Sequence, residues 1–225
     1  MTNERARMLL DECILFKALN ERERCDLAAR AQSRIVGPNE PIFHVGEPGT
    51  SMMGVIAGTV RISLPTSNGK EVILADLPAG ALFGEIALLD GKPRSASAAA
   101  LTKCELLVLE RRDFLPFLER SPTARLNLMQ LLCGRIRRSD ERLAEIAFFN
   151  LPARLAKALL RYPAQEGGPP KLSLSQRELA DMTGGTRENV NRCLREWQRR
   201  GILELKNRWT IILKPEALQA IEEPY

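Results

Sequence analysis

Histidine occurs once in this chain, at position 44, and its five cysteines (Cys13, Cys25, Cys104, Cys133 and Cys193) are scattered without a CxxC pair. An odd number of widely spaced thiols supplies neither a disulfide framework nor a zinc knuckle, so they are read as core thiols and no metal is expected. Common enzyme signatures are missing too. There is no HExxH, no nucleophile elbow and no P-loop, and the expectation is a protein that is not an enzyme. No window approaches the roughly 18–20 uninterrupted apolar residues of a membrane span, and the start, MTNERARMLL, lacks the apolar stretch of a signal peptide. A cytoplasmic protein with no membrane partner is expected.

What is present is an ordinary folded composition, 44% apolar and 27% charged over 225 residues, enough for one large domain or two modest ones. The net charge of +5 permits an anionic partner without naming one. Its distribution is more informative. Between Thr186 and Arg208 stand seven basic residues against Glu188, Glu196 and Glu204, so +4 of the total lies within 23 residues. That concentration fits a phosphate backbone, although charge alone would favour a solvated helix face.

The first thirty residues carry helical apolar spacing. From Ile35 the texture changes to short Val-, Ile- and Leu-rich runs cut every eight to twelve residues by Gly, Pro, Asn or Asp, ending with CELLVLE at 104–110. This spacing predicts an all-β sandwich or barrel, with SNGK at 67–70 as a hairpin turn. After Arg111 helical spacing returns, with Pro116 and Pro122 read as lying near helix starts. A long helix is predicted from about Thr123 to Phe149. Leu126, Met129, Cys133, Ile136, Asp140, Leu143, Ala147 and Asn150 alternate by three and four, a heptad seam of the kind that pairs with a second copy. Ser139 and Asp140 interrupt it with polar groups, either to fix the register of a dimer or to hold something polar. YPAQEGGPP, at 162–170, reads as a loop, and a domain boundary is placed near Asn150–Pro152.

Near the C-terminus, Ser175 and Glu178 form a capping box that starts a short helix. Thr183-Gly184-Gly185 stops it and turns the chain, and Thr186 is a good N-cap for a second helix. At 100° per residue, Val190, Cys193, Leu194 and Trp197 fall between about 240° and 340°, while Arg187, Glu188, Asn191, Arg192 and Arg195 occupy about 0° to 140°. One face packs and the other is offered outward, as in a recognition helix that enters the major groove of double-stranded DNA. ILEL at 202–205, a turn at Lys206-Asn207-Arg208 and WTIIL at 209–213 then form the hairpin of a winged helix.

With these motifs in place, the sequence resembles the cyclic-AMP receptor protein family of bacterial transcription regulators along nearly its whole length. TRENVNR at 186–192 supplies the family's R-E-x-x-x-R as Arg187, Glu188 and Arg192. The resemblance implies a TGTGA-like half-site, with the two arginines on guanines and Glu188 on cytosine. Arg195 falls to phosphate, and Asn191 stands where the best-known member has glycine. GEIALLDGKPRSAS, at 84–97, resembles the family's phosphate-binding cassette and contributes Gly84, Glu85, Ile86, Ala87, Arg94 and Ser95. Its chemistry is legible. A singly charged cyclic phosphodiester suits one Arg94 with N–H and hydroxyl donors around Ser95, Glu85 can accept from a ribose 2′-OH, and Gly84 lets the backbone come close.

Aligning IAFF at 146–149 with the family's helix end places Ser139 and Asp140 at the two positions that contact the purine, one from each subunit. The family often has Thr-Ser there. Cyclic AMP is the first expectation and cyclic GMP the second. The resemblance thus implies an α+β chain: a β-jelly-roll cyclic-nucleotide-binding domain at 1–122, a dimerisation helix and hinge at 123–150, and a winged helix-turn-helix at 151–225. It implies a homodimer through the long helix, with RNA polymerase as a further partner. The alternative is the same scaffold sensing haem, an iron–sulfur cluster or another small molecule, or acting without ligand. Cys13 and Cys25 have no third cysteine nearby, and a lone His44 is more often structural.

Overall fold

The computed structural model describes residues 19–66, 71–161, 171–172, 174–206 and 209–222. Contacts gather these into two compact units, one ending at Ile136 and the other starting at Arg137, with Glu71 and Val72 grouped with the latter.

The first unit opens with α1 (Glu21–Arg30), whose start is fixed by a reciprocal capping box between Asn20 and Glu23. Eight strands follow: β1 (Gln32–Val36), β2 (Pro41–Phe43), β3 (Ser51–Ala57), β4 (Val60–Pro65), β5 (Glu71–Leu77), β6 (Leu82–Phe83), β7 (Ser97–Ala100) and β8 (Cys104–Glu110). They form two four-stranded sheets, ordered β1, β8, β3, β6 and β2, β7, β4, β5. Val36, Val55, Phe83 and Leu106 from one sheet meet Ile42, Phe43, Val60 and Ala98 from the other in a single apolar cluster. Strand β8 is buried on both faces. Cys104 and Leu106 join that cluster, whereas Leu107 and Leu109 turn to a second one shared with Leu27, Phe114, Phe117 and Leu128. Two-sided burial explains why CELLVLE reads as a nearly continuous apolar run.

Between β6 and β7 lies a short helix, α2 (Glu85–Asp90); after β8 come α3 (Arg111–Arg120) and the 27-residue α4 (Pro122–Phe148). Pro122 does begin a helix, but Pro116 sits inside α3, where its missing N–H removes a bond to the preceding turn. The long helix ends before the seam does, because Asn150 leaves it to cap the next helix by accepting from the Ala153 N–H at 3.0 Å.

In the second unit α5 (Leu151–Leu160), α6 (Gln176–Thr183), α7 (Arg187–Arg199) and α8 (Pro215–Glu222) pack with a three-stranded sheet. Strand β11 (Trp209–Ile212) lies between β10 (Leu203–Lys206) and β9 (Lys171–Leu172), so the hairpin foreseen in the sequence has a third strand. Leu155, Leu159, Leu179, Val190, Leu194, Trp197, Ile202 and Leu218 form its core. The SNGK turn, the loop at 162–170, the wing's turn residues 207–208 and the helical spacing before residue 19 lie outside the described residues. Among the described residues no helix is long and apolar enough to cross a membrane.

Candidate functional site

The cassette is built on a glycine. Gly84 has φ of 78°, a left-handed conformation that ends β6 and starts α2, and a Cβ there would meet Arg94 Nη1 at 2.7 Å. Glycine is thus required twice over, by the backbone and by the guanidinium lying against it.

Arg94 is only 6% exposed. Its Nη1 donates to the Ser51 carbonyl at 2.6 Å and the Gly84 carbonyl at 3.0 Å, and Nη2 donates to Ser51 Oγ at 3.1 Å. The guanidinium also lies 4.2 Å from the Phe43 ring centroid, a cation–π contact. Of its five N–H bonds these partners take three; Nε–H, buried, has none. Burial pulls the Arg94 pKa below its ordinary value, against the opposing pull of Glu47, Glu110 and Glu85.

Glu85, 1% exposed, begins α2. Its Oε1 pairs with Arg135 Nη1, Arg135 Nη2 donates to the Leu82 carbonyl, and Oε2 is buried without a partner. Arg135, on α4, joins the candidate site through Glu85 and carries no signal of this in the sequence. In GRIRRSDER it looks like one more solvated arginine, and only the chain's return past α2 shows that it meets a buried carboxylate. Ala87 is buried beneath the cassette, while Ile86 and Ser95 are exposed. Ser139 and Asp140 are exposed on α4 in the other unit. Leu126, Met129, Cys133, Ile136 and Leu143 of the seam are exposed as well.

In the second unit the two-helix motif forms as its caps dictate. Ser175 Oγ accepts from the Glu178 N–H at 3.2 Å while Glu178 Oε2 accepts from the Ser175 N–H at 2.9 Å. Gly184, with φ of 64°, ends α6, and Thr186 Oγ1 accepts from the Asn189 N–H at 3.2 Å to start α7. Val190, Leu194 and Trp197 are buried; Arg187, Glu188, Arg192 and Arg195 are exposed. Cys193 is half-buried, and burial pushes its thiol pKa up. Asn191 is half-buried in the middle of the outward face, accepting from Gln176 Nε2 and from Arg195 Nε, each at 3.2 Å. Arg199 pairs with Glu196 at 2.6 Å and Lys206 with Glu204 at 2.9 Å. Among the described residues, the basic groups of this stretch without an ion pair are Arg187, Arg192, Arg195 and Arg200.

Family models place these motifs. Residues 33–121 match the cyclic nucleotide-binding domain, and residues 153–221 match the Crp-like helix-turn-helix domain. A "Cyclic AMP receptor protein" of Thermus thermophilus is 39% identical over 184 residues, 81% of this chain and 85% of that one. The "CRP-like cAMP-activated global transcriptional regulator" of Mycobacterium tuberculosis is 32% identical over 183 residues, 79% and 82% of the two chains. Among solved structures, the catabolite activator protein of Thermus thermophilus aligns over 93% of this chain and 98% of its own, at 35% identity and a TM-score of 0.56. A β-domain with the cassette, followed by the capped two-helix motif in matched order and at this identity, makes the chain a member of the cyclic-AMP receptor protein family of transcription regulators.

Proposed function

We propose that this protein is a cyclic-nucleotide-responsive homodimer that binds palindromic, TGTGA-like DNA when loaded with cyclic AMP, with cyclic GMP as the second candidate ligand. The observation that carries the reading is the pair of open positions at Gly84: a buried guanidinium with Nε–H unpartnered and a buried carboxylate with Oε2 unpartnered. Buried charges are normally saturated with partners, so such reserves mark a place where polar groups of a ligand fit. In this reading Arg94 and Ser95 take a cyclic phosphate, Glu85 takes the ribose 2′-OH, and Ser139 and Asp140 take the purine. Arg135 holds the Glu85 carboxylate ready. The relatives named for activation by cyclic AMP support the choice of purine.

The exposed apolar seam of α4 supports pairing with a second copy, and 123–150 then serves as dimerisation helix and hinge between domains at 1–122 and 151–225. Arg187 and Arg192 read guanines, Glu188 reads cytosine, and Arg195 and Thr186 lie along the phosphates. RNA polymerase is the expected partner on DNA. Ligand shifts the protein only by binding one arrangement better than the other, here the arrangement that sets two α7 helices about 34 Å apart, the known spacing of helix-turn-helix dimers. Calorimetry with the two cyclic nucleotides in parallel tests sensor type and purine choice together. One nucleotide per chain, with cyclic AMP the tighter, is expected; no binding of either sinks the reading.

A further inference from the structure

The geometry points to Asn191 as a donor-only base reader, locked by Gln176 and Arg195 so that it favours a thymine or guanine edge over adenine. The inference rests on the proposed role of α7 as the DNA-reading helix. Asn191 lies at about 40° on the outward face, between Arg187 and Arg195. Its Oδ1 accepts from Arg195 Nε, one turn along the same helix, and from Gln176 Nε2 at the first position of α6.

An amide can be turned over in many settings, but not in this one. Arginine has only donors, so the Asn191 atom facing Arg195 Nε must be the carbonyl oxygen. With Gln176 on the second lone pair, that oxygen is saturated. The two Nδ2 hydrogens have no protein acceptor among the described residues, beside an open cleft lined by Gln176, Asn191, Arg195 and Gln198.

Asparagine ordinarily recognises adenine with both ends of its amide, accepting from N6 and donating to N7. Here the accepting end is occupied. What remains is a donor, which matches thymine O4 or guanine O6 and N7; at adenine it can reach N7, but N6–H2 beside it is an opposing donor with no acceptor left to take it. Gln176 makes no base contact in this scheme. It is a positioning residue that sets which end of Asn191 is available.

The test is binding of the full-length protein, in saturating cyclic AMP, to palindromes carrying all four base pairs at each half-site position in turn. Wild type is expected to prefer thymine or guanine over adenine by about fivefold to tenfold at one position, the scale of a single base contact. Asn191→Ala should flatten that position alone. Gln176→Leu should leave the fold and the other positions unchanged but raise relative affinity for adenine there, as one lone pair of Oδ1 is released. A wild-type preference for adenine, an unchanged profile in Asn191→Ala, or no adenine gain in Gln176→Leu overturns the inference. Glu188→Ala separates this failure from a larger one. If it relaxes its own base pair while Asn191→Ala changes nothing, α7 reads DNA and only the inference falls; if neither variant alters any position, the reading of α7 falls and takes the inference with it.

Discussion

Arg94 does two jobs with one guanidinium. It ties β3 to the start of α2 through Ser51 and Gly84, and it keeps a buried N–H open. Arg94→Leu therefore has a structural cost as well as a functional one, because the Ser51 and Gly84 carbonyls lose a charged donor. Loss of about 1.5–3 kcal/mol of ligand affinity, roughly ten- to a hundredfold in Kd, is expected by calorimetry, together with a lower melting temperature in the absence of nucleotide. Unaltered affinity would remove Arg94 from the site. Arg94 and Glu85 are legible in the sequence because the cassette spaces them in a recognisable order. Arg135 is not, since its significance comes from meeting Glu85 fifty residues away in the chain. Asn191 is intermediate: helical spacing puts it on the outward face, but its locked orientation needs Gln176 from a different helix.

Elements were legible where local chemistry decides them. The capping box at Ser175, the N-cap at Thr186 and the apolar stripe of Val190, Leu194 and Trp197 each follow from short-range spacing. Where tertiary contact decides, the spacing misleads or is silent. Pro116 is accommodated inside α3, whose buried Phe114, Phe117 and Leu118 anchor it to the β-domain. Asn150 extends the heptad count yet caps α5. Two-residue β9 has too little sequence to announce itself and exists through pairing with β11. Two element-scale outcomes follow. Trp197→Ala removes the largest apolar group joining α7 to its unit and should cost about 3–5 kcal/mol, seen as loss of cooperative melting of the DNA-binding unit. Ile136→Glu puts a charge on the exposed seam of α4 and should convert the proposed dimer into a monomer by sedimentation, leaving the β-domain's circular dichroism unchanged. A variant that stays dimeric would move the interface away from that seam.

On the scale of the whole molecule, two units with separate cores are carried on one chain, and α4 runs from the first into the second. In the proposed reading, that continuity is what connects the nucleotide site with the reading helix. Within the second unit, Glu145 of α4 pairs with Lys157 of α5 at 3.6 Å and with Arg161, the C-cap of α5, at 2.6 Å. If ligand held by the first unit governs DNA binding by the second, fluorescence anisotropy on a labelled TGTGA-type palindrome reads the coupling itself. Affinity should rise at least tenfold on saturation with cyclic AMP and fall steeply with added salt, as phosphate contacts require. Tight operator binding unchanged by either cyclic nucleotide would show that the ligand does not govern DNA binding.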